Sequence, residues 1–338
     1  MAWAHDGSLE KAIQIMKGAK KAGADAIGIH VTNVESYMVP YYGNGEGKVS
    51  AGRESMDIYN YLLNINLSHD DWLRFAEETR KEGILLCVMP NDMNSLAFVS
   101  KQLSPDIYVV PSASFVEEEF LKTVAKQKRK TMFRIGGATV GEIEKVINLF
   151  RVQGNEDIVL LHGIQMYPTN IEDTNIAIIA SLKSMFNVEV GLADHIDGGT
   201  MMAKAIPLLA IPFGASCIEK HITLNRDEKG EDFESALNPS DFKEFVDLVR
   251  GVEIAIGRGY MGALRDSDLR YRNIVRKKIV AATDIAATTV ITHSDVTFKR
   301  CDVGITPDMC DMVFGRVAAV DIRKDDVITL DKLKGCLL

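Results

Sequence analysis

The groups with the greatest chemical capacity lie in two short clusters, Ala193-Asp194-His195 and Glu219-Lys220-His221. Each ends an apolar run of the kind that forms a strand, so two neighbouring strands deliver two imidazoles to one end of a sheet. Paired imidazoles can hold a divalent metal, and Asp194 or Glu219 could orient a ring from behind. The alternative is that each histidine simply bonds a loop carbonyl. Five of the seven histidines (His5, His30, His162, His195 and His221) follow such runs, and only His69 and His293 do not. The same kind of position carries Asn91 with Asp92, Ser112 with Ser114, Arg134, and Gln165 with Tyr167. His162 reads as a hydrogen-bonded core histidine. Arg134 and Lys220 are cations at strand ends, and burying either needs an anionic partner: a substrate phosphate or carboxylate, or a structural salt bridge. Gly136-Gly137 would let a ligand approach the backbone closely, although a plain turn uses glycine too.

These residues must be positioned by the elements before them. Apolar, β-branched runs at Met1–Ala4, Ala26–Val31, Ile84–Met89, Ile107–Val110, Thr131–Ile135, Ile158–Leu161, Val188–Leu192 and Ala215–Glu219 predict strands buried on both faces. Amphipathic stretches alternate with them at Ser8–Ala22, Asp70–Lys81, Met93–Gln102, Val116–Gln127, Val140–Val152, Glu172–Met185, Gly199–Leu209 and Ser240–Ala255. Ser68-x-x-Asp71 and Thr139-x-x-Glu142 have capping-box spacing, and Gly23, Gly83 and Gly154 act as stops. Eight alternations in about 260 residues predict a (β/α)8 TIM barrel, with a doubly wound sheet as the alternative. The first strand is short, with four residues before His5. Residues 40–66 fit neither element and read as a loop placed where a barrel carries a lid.

The pattern changes after Gly257. A basic, exposed connector precedes an internal repeat in which Val280-Ala-Ala-Thr-Asp-Ile recurs as Val317-Ala-Ala-Val-Asp-Ile, 37 residues on. Eight of 17 positions are identical between 280–296 and 317–333, which predicts a small β-rich module of two related halves. The expected organisation is a barrel over 1–260, a linker over 261–276 and the module over 277–338.

Composition bounds the function. The net charge of −8 argues against a general nucleic-acid or acidic-membrane binder. Cys87, Cys217, Cys301, Cys310 and Cys336 are odd in number and unpaired in spacing, which suits a reducing compartment. No apolar run reaches the ~18 residues of a membrane span. The start has no basic-then-apolar leader, so a cytoplasmic protein is expected.

Specific motifs then point to a family. Leu160-Leu-His-Gly-Ile-Gln-Met-Tyr-Pro-Thr-Asn-Ile-Glu-Asp, Gly191-Leu-Ala-Asp-His, Ile218-Glu-Lys-His-Ile-Thr-Leu-Asn-Arg and Gly230-Glu-Asp-Phe resemble four signature stretches of the sialic acid synthases. His5-Asp-Gly resembles the family's N-H-N-G, and Lys278 onward through Lys299-Arg-Cys-Asp-Val-Gly-Ile-Thr-Pro is similar to its antifreeze-like (SAF) domain. The resemblance implies a TIM barrel, a SAF domain and a metal-assisted, aldol-type condensation of phosphoenolpyruvate with a 2-acylamino sugar. It further implies that His195 and His221 hold Mn or Mg, and that Asp232 meets sugar hydroxyls. Tyr167 and Gln165 would line the pocket. Arg300 would reach the sugar across a domain-swapped homodimer. This chain also departs from the family. Ile27-Gly28-Ile29-His30 stands in place of a lysine-bearing V-K-F-Q, and Val109 replaces a second lysine in Tyr108-Val-Val-Pro-Ser. Arg134 and Ala193 replace serines, and the glutamate that ends the family's first strand would fall just before Met1. Arg134, with Ser112 and Lys220, is then the expected anchor for an anion. The alternatives are a metal-dependent aldolase or lyase acting on another sugar acid, and a sugar-binding homologue without turnover.

Overall fold

A computed structural model describes residues 1–41, 57–257, 259 and 262–336. The chain divides into two compact units, Met1–Gly257 and Arg258–Leu338.

In the first unit, strands and helices alternate: α1 (Leu9–Ala22), β1 (Ala26–Val31), α2 (Val34–Tyr37), α3 (Ile58–Ile65), α4 (His69–Glu82), β2 (Leu85–Pro90), α5 (Met93–Phe98) and β3 (Ile107–Pro111). They continue with α6 (Glu118–Ala125), β4 (Lys130–Arg134), α7 (Val140–Val152), β5 (Ile158–His162), α8 (Ile178–Phe186), β6 (Glu189–Asp194), α9 (Met202–Ala205), β7 (Ile218–Lys220) and α10 (Pro239–Ile256). The seven strands are parallel and pair in sequence order, β1 through β7, so the sheet curls as a barrel does. A continuous core holds it to the helices, with Trp72, Phe75, Phe120, Phe133 and Phe150 fully buried. Both expected capping boxes are present: Ser68 with Asp71 opens α4, and Thr139 with Glu142 opens α7.

Four expectations change. Met1–Ala4 is not a strand; Ala2 makes one parallel bridge to Ile29, and the chain then turns, with Ala2, Asp6 and Gly7 at positive φ. Residues 40–66 are not all loop, because Asp57 caps the helix α3, whose Leu62 and Ile65 are buried; the lid expected there otherwise falls largely on 42–56, outside the described residues. The helix expected over Gly199–Leu209 is one turn, α9, continued as a 3₁₀ turn with Pro207 at its start. The helix expected over Glu172–Met185 begins only at Ile178, after a 3₁₀ turn at Ile171–Asp173.

The second unit opens with α11 (Asp266–Val275), a helix with no buried residue in the stretch expected to be a linker. Two antiparallel hairpins follow, β8 (Lys277–Ala281) with β9 (Val296–Arg300) and β10 (Arg316–Ala318) with β11 (Leu333–Cys336). The repeat explains their arrangement. Ile285 bridges Ile322, its own counterpart 37 residues on, while Val280 bridges Val327 and Val290 bridges Val317. Self-pairing of one position and reciprocal pairing of the others is the pattern of a pseudo-two-fold axis. The core repeats likewise: Ala281 with Ala318, Ile285 with Ile322, and Ile291 with Ile328.

Candidate active site

The C-terminal ends of β4 to β7 gather the chemistry of the first unit. His195 follows β6 and His221 follows β7; both are buried, and their ring centroids lie 5.2 Å apart at an interplanar angle of 60°. The Tyr167 ring packs on both, 4.5 Å from His195 and 5.6 Å from His221. Its hydroxyl donates to Gln165 Oε1 at 3.0 Å, and Gln165 Nε2 is buried without a partner.

The neighbours of His195 fix its tautomer. Its Nδ1 lies 2.8 Å from the Ile164 carbonyl, which can only accept, so Nδ1 carries the proton. Burial lowers the pKa to about 4, with the Arg134 charge adding to the effect, so the ring is neutral and Nε2 keeps a lone pair. That Nε2 is buried and has no partner. Gly163 makes the geometry possible, because an added Cβ would come within 2.1 Å of the Ala193 carbonyl. Burial holds His221 neutral as well, well below the usual histidine range, with the neighbouring His195 acting in the same direction. Its Nδ1 is buried and unbonded, 3.5 Å from Asp232 Oδ2. Two neutral imidazoles with unfilled nitrogens suit a divalent cation. Among the described residues, no group of three or more His, Cys, Asp or Glu converges to hold one. A cation held by the pair would keep positions open for ligand oxygens.

Charged groups surround the pair. Arg134 Nη2 donates to Glu219 Oε1 at 2.6 Å across the sheet, and the buried Arg134 Nε has no partner. Burial pushes the Glu219 carboxyl up, but Arg134 and His195 more than offset this and hold it below its ordinary range. Lys220, with a side chain 1% exposed, is ion-paired to Asp194 and reaches the Ile196 carbonyl. Asp194 therefore braces Lys220 and Glu219 holds Arg134, so neither carboxylate orients a ring as first expected; the Ile164 carbonyl does that for His195. Asp232 is pushed up to about 7 by burial and by Glu231 beside it. Burial likewise raises the Tyr167 phenol. A cavity of about 300 Å³ inside the sheet is lined by Gly28, His30, Arg134, Glu219, Lys220 and His221 among others. Gly28 and Val109, where lysines were expected by resemblance, both face it.

Several other strand-end residues have structural partners, although Nε2 of His5 and of His30 is buried without one. His162 Nε2 meets the Thr174 carbonyl at 2.8 Å, as a core histidine would. Asn91 donates to Thr32 Oγ1 at 2.7 Å, and Asp92 caps α5. Ser112 Oγ donates to the Gly136 carbonyl at 2.5 Å. His5 is fully buried, edge-on to Trp72 at 5.3 Å. Arg300 ends β9 in the second unit and is exposed.

A curled parallel sheet with two buried imidazoles at its strand ends, each with one unfilled nitrogen, is the arrangement of a barrel-class active site. Comparison with known proteins narrows this. The NeuB family model matches residues 15–261, and the SAF domain model matches 276–334. The pseudaminic acid synthase of Campylobacter jejuni is 32% identical over 326 residues, covering 96% of this chain and 92% of that protein. The N,N'-diacetyllegionaminic acid synthase of the same species is 29% identical, covering 96% of each. Among solved structures, the N-acetylneuraminic acid (sialic acid) synthetase of Leptospira borgpetersenii, in complex with citrate, aligns with a TM-score of 0.69 at 26% identity. That alignment covers 81% of this chain and 90% of the other. The chain belongs to the NeuB family, carries a C-terminal SAF domain, and is an enzyme of the sialic acid synthase type.

Proposed function

We propose that this enzyme condenses phosphoenolpyruvate with the aldehyde of an open-chain 2-acylamino sugar, forming a nonulosonic acid or a related sugar acid. The observation that carries this reading is the buried, neutral His195–His221 pair with unfilled nitrogens, on a chain of this family. The two histidines would hold a divalent cation, Mn or Mg, which when bound polarises the aldehyde oxygen as a Lewis acid. C3 of the enol attacks the aldehyde carbon, and the new alkoxide takes a proton. Water adds at C2, and phosphate departs from that carbon.

The chain's own groups divide the remaining work. Tyr167 and Gln165 wall the pocket beside the imidazoles, and the unpartnered Gln165 Nε2 is free to donate to a substrate oxygen. Asp232, against His221, receives sugar hydroxyls. Arg134 presents its free Nε–H to the anionic donor while Glu219 holds Nη2. The Asp194–Lys220 pair fixes the ends of β6 and β7, so it acts on the substrate only through the histidines. Arg300 is assigned to the acylamino sugar of a partner subunit in a domain-swapped homodimer, and the setting is cytoplasmic. Among the described residues, no helix is long and apolar enough to cross a membrane.

One observation favours a second reading. The cations lining the cavity, Arg134, Lys220 and Arg250, are each ion-paired. A phosphate ester would have to share Arg134 with Glu219, whereas a less charged 2-oxo acid would need one contact only, as in an aldolase. The deciding experiment measures phosphate release from phosphoenolpyruvate with a panel of 2-acylamino sugars and added manganese or magnesium. Sugar-dependent phosphate release supports the condensation. Aldol cleavage or formation with pyruvate, and no phosphate release, would move the assignment to the second reading.

A further inference from the structure

We propose that Asp6 is a positioning residue that latches the 228–232 loop and so places Asp232 against His221. The inference rests on the reading of Asp232 as a sugar contact. Asp6 lies in the turn before α1, at the opposite end of the unit's sequence from that loop. Its Oδ1 accepts the Glu231 N–H at 3.1 Å, one residue before Asp232. Its Oδ2 takes Lys11 Nζ at 2.8 Å, and the same ammonium reaches Glu228 Oε2 at 2.8 Å. One carboxylate and one ammonium thus tie the first turn of α1 to both ends of a short stretch, Glu228 and Glu231.

The loop needs such a tie. Lys229 and Asp232 both stand in the left-handed region, at φ 50° and 59°, where a side chain is disfavoured and the surroundings must hold the backbone. A Cβ on Gly230, between them, would come within 2.4 Å of Asp6 Oδ2, so a side chain there would push the Asp6 carboxylate out of place. Beyond Asp232 the chain is fixed separately: Arg226 donates to the Phe233 carbonyl at 3.1 Å, and Gly198 N–H to the Glu234 carbonyl at 2.7 Å. Loss of the Asp6 carboxylate therefore removes the acceptor of the Glu231 N–H, next to Asp232, while Phe233 and Glu234 stay anchored. Asp232 Oδ2 stands 3.5 Å from His221 Nδ1, a spacing that small backbone movement would open. Asp6 also occupies the asparagine position of the N-H-N-G pattern. An amide can accept the Glu231 N–H, but it cannot pair with Lys11.

Steady-state kinetics of Asp6→Ala, Asp6→Asn and Lys11→Met in the full chain test this, with a 2-acetamido sugar and phosphoenolpyruvate varied separately. Asp6→Ala should raise KM for the sugar about tenfold, with kcat within about twofold and KM for phosphoenolpyruvate unchanged. Asp6→Asn keeps the acceptor and should stay within about threefold of wild type, and Lys11→Met should fall between the two. An unchanged sugar KM in Asp6→Ala overturns the latch. So does an equal loss for both substrates, or an Asp6→Asn variant as impaired as the alanine. If the alanine variant does not fold, a wild-type sugar KM in Lys11→Met overturns it instead. If the wild type turns over no sugar, the functional reading has failed, and hydrogen exchange at the Glu231 amide tests the latch alone. Exchange should be at least tenfold faster in Asp6→Ala and near wild type in Asp6→Asn, and equal rates in all three proteins would refute it.

Discussion

Because the Ile164 carbonyl can only accept, the proton of His195 sits on Nδ1 and its Nε2 lone pair has no partner in the protein. Replacement of either His195 or His221 by alanine should therefore remove manganese binding, measured by titration calorimetry, and lower kcat at least a hundredfold. Retained binding in both variants would mean that the ion sits elsewhere. His5 illustrates a different consequence of burial. Its pKa falls from 6.5 to about 4 through burial, against the opposing pull of Asp6. The folded state favours the neutral ring, so the unfolded chain binds the extra proton between those two values. The contribution is complete above about pH 6.5 and is lost as pH falls toward 4, by at most about 3 kcal/mol. Asp232, raised to about 7, runs the other way: its contribution is present below the ordinary carboxylate range and is lost as pH rises through 7. Urea unfolding of His5→Gln between pH 4 and 7.5 should show a flatter acid limb than wild type. Identical slopes would remove His5 from the account.

At the scale of elements, β4 brings Arg134 and β7 brings Glu219 to the interior, and this pair joins residues 85 apart in sequence. Arg134→Ala should raise KM for the anionic donor at least tenfold and leave Glu219 half-buried without its partner. Removing one member of a buried pair costs about 3–5 kcal/mol, and the partial exposure of Glu219 puts this case below that range. The double variant Arg134→Ala, Glu219→Gln should regain most of the lost stability in thermal melts but none of the donor affinity. Recovery of both, or of neither, would show that the pair does one job only. Such pairings mark the limit of what the sequence revealed. Strand-end logic found the histidines, because most of the strands lie in near-continuous apolar runs, and capping spacing found the starts of α4 and α7. Periodicity carries no information about which cation meets which anion across a barrel, so Glu219 and Asp6 went unassigned as partners. The helix α3 was hidden because its two inward residues, Leu62 and Ile65, are too few to set a period beside a glycine-rich stretch. The expected strand Met1–Ala4 read as apolar, but its composition could not reveal the turn that Ala2 and Asp6 make at positive φ.

At the scale of the molecule, the second unit is small, and its buried core is a pseudo-two-fold set of aliphatic side chains. A module of this size buries little surface by itself. The α11 helix ahead of it has ten residues and no buried side chain, and it exposes Leu269, Tyr271 and Ile274. An isolated helix so short is marginal in water, and Tyr271 and Ile274, three residues apart, share one exposed apolar face that a partner could cover. We therefore expect the full chain to be a dimer by light scattering, with about twice the 37.3 kDa mass of one chain and a melting temperature that rises with concentration. A chain ending at Gly257 should run as a monomer and bind a 2-acetamido sugar at least tenfold more weakly. Arg300→Ala in the full chain should reproduce the loss in sugar affinity while leaving the dimer intact, because Arg300 is exposed and outside the unit's core. Charge alone is controlled by Lys299→Ala, which removes a neighbouring cation paired to Asp325 and should leave sugar affinity unchanged. A monomeric full chain, or a truncated chain with undiminished sugar affinity, would rule out a second unit that completes a neighbour's site.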